Sequence, residues 1–142
     1  MRGRMGLLLI AAGMLIVLAI GILTVGGPQV ARQDLQDQRR LEDLNRIART
    51  LNCDGWRGNR PALPEALSVP VLAAHCPGHG VLAEDLADPE TGAAYDYRRA
   101  DDRAFRLCAS FHDPWRLART RQSLARPYGF DPETGCVSGQ VR

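Results

Sequence analysis

The sequence contains no lysine, and all 18 of its basic residues are arginine. We attribute this choice to the composition of the genome rather than to chemistry. From residue 28 onward, 16 arginines balance 16 acidic residues, so the formal charge of +2 comes from Arg2 and Arg4 alone. A neutral region with interleaved charges lacks the basic face that binds nucleic acid. We therefore expect no nucleic-acid partner.

Sequence patterns for catalysis are also missing. Ser110, His112 and Asp113 are residue types found in hydrolases, but no nucleophile elbow surrounds Ser110. No Cys-x-x-Cys redox pair and no haem attachment site occurs either. We expect no catalytic residue, no enzymatic activity, no cofactor and no small-molecule substrate.

Charged residues are absent between Arg4 and Arg32, and this interval contains the apolar run Leu7 to Val25. A helix of about 19 residues covers about 28 Å, close to the roughly 30 Å of a bilayer core. A cleaved signal peptide has the same basic start, but its apolar region is usually about 7 to 15 residues long and ends at a small-x-small site. Because Pro28 lies where a mature chain would begin, we favour an uncleaved membrane anchor.

The predicted organisation is a cytoplasmic tip (1–6), a transmembrane anchor (7–27) and one extracytoplasmic domain (28–142). Basic residues flank the span on both sides, so they do not decide its orientation. An even set of cysteines in a small domain suits an oxidising compartment. We therefore expect a single-pass protein of the bacterial inner membrane, with its N-terminus in the cytoplasm and its domain in the periplasm. The cysteines are Cys53, Cys76, Cys108 and Cys136.

Helical periodicity continues beyond the span, from Ala31 to Leu51. Gly26-Gly27-Pro28 predicts an interruption first, because proline removes a backbone hydrogen bond and clashes with the preceding turn. Only one large apolar residue occurs in Gln33–Arg40, so we expect a solvated stalk there. The helix is expected to end near Asn52–Gly55, where glycine supplies a stop. Its predicted buried face consists of Leu41, Leu44, Ile47, Ala48 and Leu51.

Three shorter segments follow, with weaker signals. Leu63-Pro64-Glu65-Ala66-Leu67 predicts a short helical turn with proline at its first position. Ser68 to Gly80 is predicted to be irregular. Val81 to Ala87 is apolar enough to contact the core, but its secondary structure stays open.

The pentapeptide Asp-Pro-Glu-Thr-Gly occurs twice, at 88–92 and at 131–135. The aspartate side chain forms a hydrogen bond with the nearby backbone, proline fixes φ, and glycine adopts the left-handed conformation at the end of the turn. Both copies therefore predict turns. The flanking sequences differ, so we do not regard the two copies as an internal repeat. The residues that define the turns are Asp88, Gly92, Asp131 and Gly135.

Alternating residues after the first turn predict a β-hairpin formed by Ala93–Arg99 and Ala104–Phe111. A hairpin centred on Asp101 places Cys108 on the face opposite the aromatic side chains. The aromatic face is expected to pack on the amphipathic helix. The expected cross-strand pairs are Tyr97 with Phe105, Tyr95 with Leu107, and Asp96 with Arg106.

This order of parts resembles the plan of type IV pilins and of type II secretion pseudopilins. The resemblance covers about residues 30–111 and implies a structural or interaction subunit whose partners are other membrane or periplasmic proteins. Prepilins are cut after a glycine and carry glutamate at the fifth mature position, whereas Ala11 is the fifth residue after Gly6. This difference favours a static anchored relative over the alternative, a minor pseudopilin. The stretches that resemble uncharacterised membrane-anchored proteins with a pilin-like outer domain are Leu63-Pro64-Glu65-Ala66-Leu67, Asp88-Pro89-Glu90-Thr91-Gly92 with Tyr95-Asp96-Tyr97, and Leu107-Cys108-Ala109-Ser110-Phe111.

Three pairings of the four cysteines are possible. Chain order and the predicted hairpin favour Cys53 with Cys76 and Cys108 with Cys136, and the second pair resembles the C-terminal staple of pilins.

The segment from His75 to His79 offers two imidazoles beside Cys76, and Cys53 would complete a zinc site. A disulfide at Cys76 with two surface histidines explains the segment without metal. His75 and His79 therefore remain minor candidates for an anchored metal-binding or sensor module. Calcium is a second minor alternative, with Asp85, Asp88 and Glu90 as ligand types, although turn formation explains these residues.

The sequence therefore predicts an α+β protein. An N-terminal transmembrane helix continues into an amphipathic helix packed on a small antiparallel β-sheet, and a disulfide closes the C-terminal segment. The expected function is that of a structural or interaction subunit in contact with the membrane bilayer.

Overall fold

A computed structural model describes residues 2–25, 27–53, 62–125 and 128–141 of the chain. The chain divides into two compact units, residues 1–33 and 34–142. The architecture is the predicted α+β arrangement of a long apolar helix, an amphipathic helix, short helices and a small antiparallel sheet.

Helix α1 (Arg2–Val25) is apolar around its whole circumference. Every large apolar side chain between Leu7 and Leu23 is at least 55% exposed. A helix on the surface of a soluble domain would instead bury one apolar stripe. By length and composition α1 is able to cross a membrane.

Helix α2 (Pro28–Asn52) begins three residues after α1 ends, so the helix is interrupted in the predicted place. The Gly27 carbonyl accepts hydrogen bonds from Val30 N and Ala31 N, which gives the new helix its first turn. Gly26 lies outside the described residues. At the other end, Cys53 takes a left-handed conformation with φ 48° and donates its N–H to Thr50 O. The predicted glycine stop at Gly55 also lies outside the described residues.

The predicted apolar face of α2 is confirmed, because all five of its residues are fully buried. They share one hydrophobic core with Phe105, Leu107 and Val137 of the sheet. The prediction of a solvated stalk over Gln33–Arg40 is wrong at two positions, although Leu35 and Arg39 are exposed. Asp37 is only 1% exposed and Arg40 only 2%, because their charges are paired inside the domain.

Residues 62–87 correct two further predictions. The segment Leu63–Leu67 forms a bend rather than a helical turn, while the segment expected to be irregular contains helix α3 (Val69–His75). Ser68 caps α3, since its hydroxyl accepts a hydrogen bond from Val71 N, and Pro70 occupies the first turn. Residues Ala83–Leu86, whose state was open, form a 3₁₀ turn.

Four antiparallel strands form the sheet in the order β1-β2-β4-β3. Gly139 lies opposite Phe105, and a Cβ at this glycine would come within 2.5 Å of the aromatic ring. Only glycine therefore allows Phe105 to fill this part of the core. The strands are β1 (Asp96–Arg99), β2 (Ala104–Cys108), β3 (Phe130–Asp131) and β4 (Cys136–Gln140).

The hairpin of β1 and β2 forms as predicted, but the predicted register is wrong by two residues. Tyr97 pairs with Leu107, and Arg99 pairs with Phe105. The reason lies in the turn, where the Asp101 carboxylate accepts hydrogen bonds from the backbone N–H groups of residues 103 and 104, both at 2.7 Å. A shift of two residues leaves every side chain on its predicted face. Cys108 therefore still lies opposite the aromatic face.

Asp96 and Arg106, which were predicted to form an ion pair, each have a different neighbour. Asp96 pairs with Arg98 along its own strand at 3.2 Å, and Arg98 stands across from Arg106.

Two further helices, α4 (Pro114–Thr120) and α5 (Gln122–Ala125), precede β3. Asp113 caps α4 by accepting a hydrogen bond from Arg116 N at 2.9 Å, and Leu117 buries this segment against the core. The sequence pattern alone did not predict either helix.

Two disulfides close the domain, Cys53–Cys76 and Cys108–Cys136. These are the pairs that chain order favoured. The first joins the end of α2 to the end of α3, and the second joins directly paired residues of β2 and β4.

Removing either disulfide should destabilise the domain by a similar amount. The closed segments separate their cysteines by 23 and 28 residues, so each pair should contribute about 3 to 4 kcal/mol on the chain-entropy model. We expect Cys53→Ala/Cys76→Ala and Cys108→Ala/Cys136→Ala to lower the urea midpoint of the detergent-solubilised chain to a similar extent. Ser110→Ala, an exposed change, serves as the control. An unchanged midpoint in either double variant would contradict the prediction.

Candidate functional site

Arg40, on α2, is a buried arginine surrounded by carboxylates. Its guanidinium makes ion pairs with three carboxylates. Nε lies 2.6 Å from Asp88 Oδ2, Nη1 lies 2.9 Å from Asp37 Oδ1, and Nη2 lies 2.6 Å from Glu90 Oε2. Nη2 also donates to Asp88 Oδ1 at 3.1 Å, so the Asp88 carboxylate is bound at both oxygens.

Local structure positions each member of this cluster. Asp37 and Arg40 are three residues apart on α2, so their side chains meet on one face of the helix. Asp88 and Glu90 belong to the first pentapeptide turn, where Asp88 Oδ1 accepts the N–H groups of Glu90 at 2.8 Å and Thr91 at 3.0 Å. The turn thus presents to Arg40 a carboxylate that its own backbone already holds in place.

Asp37 connects the cluster to a third segment. Its oxygens accept hydrogen bonds from His112 N at 3.0 Å and from Asp113 N at 2.8 Å. The His112 ring also reaches Glu90, with Nε2 2.9 Å from Oε2. The Arg40 cluster, defined as Asp37, Arg40, Asp88, Glu90 and His112, therefore joins α2, the first turn and the segment before α4.

Electrostatics inside the Arg40 cluster favours the charged forms of Arg40, Asp88 and Glu90. Burial alone would lower the pKa of Arg40, but its hydrogen bonds to Asp88, Glu90 and Asp37 outweigh burial and raise it. The Arg40 hydrogen bonds, with help from backbone N–H groups, lower the pKa of Asp88 to about 2. The stabilisation from Asp88 is therefore complete above its ordinary pKa of 3.8 and is lost as the pH falls through about 2.

A second set of polar contacts lies one turn further along α2. Tyr95 donates its hydroxyl to Asp43 at 2.9 Å, and Arg46 pairs with the buried Asp85. Burial raises the pKa of Asp43 to about 6, against a smaller lowering by the Tyr95 hydroxyl. Because this folded-state pKa lies above the ordinary 3.8, the contribution of Asp43 to stability is complete at low pH and is lost as the pH rises through about 6.

A groove of about 410 Å³ opens beside the Arg40 cluster. Thr91 of the first turn and Thr134 of the second turn both line it, so the groove lies between the two pentapeptides. Four hydroxyl side chains, three charged side chains, three alanines and one cysteine form its wall. The lining residues are Arg40, Asp88, Thr91, Ala93, Ala94, Tyr95, Asp96, Cys108, Ala109, Ser110 and Thr134.

Both predicted pentapeptide turns are present. Gly92 and Gly135 have φ of 70° and 66°, and each donates its N–H to the carbonyl of the turn's aspartate. At Gly135 a Cβ would also lie 2.8 Å from Ala109 O. The two aspartates differ in their second oxygen, because Asp88 Oδ2 binds Arg40 while Asp131 Oδ2 accepts the hydroxyl of its neighbour Thr134 at 2.7 Å.

The candidate metal ligands are not brought together. His75 Nε2 lies 2.9 Å from Leu51 O, His79 Nδ1 faces the sulfur of Cys76 at 3.3 Å, and that sulfur is in a disulfide. The calcium candidates are held by arginines instead, Asp85 by Arg46 and both Asp88 and Glu90 by Arg40. Across the described ranges, no group of three or more His, Cys, Asp or Glu side chains has a metal-binding arrangement.

The hydrolase residue types near position 112 serve the fold. His112 binds Glu90, and Asp113 caps α4. Neither contact involves Ser110, which lines the groove. These contacts give His112 and Asp113 structural roles.

Sequence reasoning missed the Arg40 cluster. A partial signal existed, because an acidic and a basic residue three apart on α2 form a pair. Nothing in the sequence indicated that Asp88, 48 residues later, would complete the site. A charged pair on a helix is usually solvated, and here burial depends on the tertiary fold.

Comparison with known proteins finds no matching protein-family model, no matching curated sequence and no matching solved structure.

Replacing Arg40 should destabilise the domain strongly. Arg40→Leu leaves Asp37 and Asp88 buried without a cation, which should cost about 3 to 5 kcal/mol in the free energy of unfolding. Arg40→Lys should also be destabilising, because one ammonium cannot reproduce the planar contacts to three carboxylates. Arg39→Leu is the matched control, since Arg39 is exposed on the same helix. Equal urea midpoints for the Arg39 and Arg40 variants would refute the structural role of the cluster.

Removing the Tyr95 hydroxyl should raise the pKa of Asp43 above its value of about 6, because the donor that favours the carboxylate is lost. The pH range in which Asp43 loses its stabilising contribution should move upward accordingly. Carboxyl NMR titration of Tyr95→Phe measures this shift. Tyr97→Phe is the control, since that hydroxyl donates to Pro64 O and makes no contact with Asp43. A pKa that is the same in both variants would contradict the prediction.

Proposed function

We propose that this protein is a single-pass membrane protein whose domain of residues 34–142 serves as an interaction subunit at the bacterial inner membrane. The observation that carries the proposal is the exposure of α1, in which twelve large apolar side chains from Leu7 to Leu23 are each more than half exposed. Water disfavours such a surface, whereas the hydrocarbon core of a bilayer accepts it on every side.

The two disulfides support an oxidising location for the domain. A span with its N-terminus in the cytoplasm and its domain in the periplasm meets this requirement. Three basic groups lie on each side of the span, counting the N-terminal amino group, and they do not favour either orientation, so the cysteines carry this part of the proposal.

The chemistry of the domain supports interaction rather than catalysis. The buried charges of the Arg40 cluster are paired with one another and stabilise three chain segments. The groove beside them offers hydroxyl groups and small side chains, which suit binding. The resemblance to pilins and pseudopilins, together with Ala11 where those proteins carry glutamate, supports an anchored structural subunit outside a fibre.

Membrane fractionation with a matched variant tests the anchor. We expect the chain to remain in membranes after alkaline carbonate, and Leu15→Arg/Leu18→Arg to be released, since each central arginine costs about 2.5 to 3.5 kcal/mol of insertion. Leu35→Arg, an exposed apolar position on α2, should stay in the membrane. Protease added to the periplasmic side should digest the domain. Release of the unaltered chain by carbonate would refute the anchor, and protection of the domain would refute its location.

In-cell crosslinking, followed by separation under non-denaturing conditions, tests the role as an interaction subunit. We expect the chain to migrate in discrete larger complexes under non-denaturing conditions in mild detergent. A monomer in every condition would contradict this part of the proposal while leaving the anchor intact.

A further inference from the structure

The segment formed by α4 and α5, residues 114–125, carries charge of one sign only, and that charge is positive. It contains three arginines and no acidic residue, within a region where basic and acidic residues are equal in number. We call this segment the arginine–tryptophan surface. Its charged and aromatic residues are Trp115, Arg116, Arg119 and Arg121.

Trp115 is the least expected residue on this surface. It is 56% exposed, although the same helix buries Leu117 to 5%. Its indole combines an apolar ring system with a polar N–H, a combination that is enriched where one end of a side chain is apolar and the other is wet. Arg119 and Arg121 are also exposed, and they make no ion pair with any carboxylate of the described chain.

The arginine–tryptophan surface is fixed to the first residues of the domain. Arg116 Nη2 lies 3.1 Å from Asp34 Oδ2, and the Asp37 carboxylate binds the backbone just before α4. Further along, Asn45 Nδ2 donates to Leu124 O at 2.7 Å. These contacts hold the segment against α2 and leave Trp115 and two arginines facing solvent.

Asp34 is also close, along the chain, to the membrane anchor. It lies six residues after Pro28, where α2 begins, which corresponds to about 9 Å of helix. The surface therefore contacts α2 at a residue that follows the end of α1 by nine positions along the chain. A short tether of this kind keeps the local concentration of the bilayer high.

We propose that the arginine–tryptophan surface binds the anionic headgroups of the bilayer that α1 crosses. The planar guanidinium of arginine binds phosphate through two parallel hydrogen bonds, and tryptophan prefers the membrane interface. Arg119 and Arg121 each contribute in the same direction close to an anionic surface, whereas Arg116 is already paired with Asp34. The proposal rests on the anchor described under Proposed function and adds a second contact with the same membrane.

Tryptophan fluorescence of the full chain in vesicles tests the proposal. The chain has a second tryptophan, so Trp56→Phe is used as the parent and reports on Trp115 alone. Vesicles contain phosphatidylcholine, either alone or with about one third phosphatidylglycerol. We expect brominated lipid to quench Trp115 in the anionic vesicles and much less in the neutral ones, and high salt to weaken the quenching.

Charge variants provide the quantitative comparison. Arg119→Gln/Arg121→Gln should reduce the ratio of docked to undocked domain in anionic vesicles about 30-fold, since two arginines near the surface are lost. Arg49→Gln/Arg103→Gln removes two exposed arginines elsewhere in the domain and should leave the ratio unchanged. Equal quenching in neutral and anionic vesicles, or equal loss in the two variants, would overturn the proposal.

Carbonate extraction of the same vesicles separates the two proposals. A chain that resists carbonate but leaves Trp115 open to acrylamide in both lipids refutes the headgroup contact and leaves the anchor intact. A chain released by carbonate refutes both. Protection of Trp115 only inside a protein complex, and never by lipid, would assign the surface to a protein partner and overturn the lipid proposal.

Discussion

The buried guanidinium of Arg40 is the interaction on which the domain depends. This cluster joins α2, the first turn and the segment before α4. Asp37 and Asp88 supply carboxylate oxygens to Arg40, and the segment before α4 donates backbone N–H groups to Asp37. Removing charges from water is costly, so the arrangement stabilises the fold only because every charged group finds partners at the same time. The cluster thereby favours one relative arrangement of the three segments that it joins.

The apolar core and the Arg40 cluster both use residues of α2, on different faces of the helix. One face of α2 carries the apolar residues that meet the sheet, and the Asp37–Arg40 pair carries the charges that meet the loops. Asp43 and Arg46 extend the polar side toward Tyr95 and Asp85. Apolar burial supplies a driving force without direction, and the ion pairs supply direction.

Sequence patterns predicted the elements that depend on local chemistry. The buried face of α2 followed from periodicity, and the two turns followed from Asp, Pro and Gly in fixed positions. The hairpin register was wrong because the Asp101 side chain bonds the backbone and moves the centre of the turn by one residue. The capped helix after Ser68 was missed because its signals are short, and Arg40 was missed because its partners lie about fifty residues away.

The pattern of covalent links has one more consequence. Each disulfide turns part of the chain into a closed ring, from Cys53 to Cys76 and from Cys108 to Cys136. A peptide bond cut inside either ring leaves the chain in one covalent piece, while a cut between residues 76 and 108 separates a piece attached to the apolar helix from a free one. The hairpin turn at Asp101 lies in that unprotected interval. In a chain that is uncut before Cys53, covalent separation of residues 108–136 from the apolar helix therefore requires a cut in this interval, or a cut within a ring whose disulfide has been reduced.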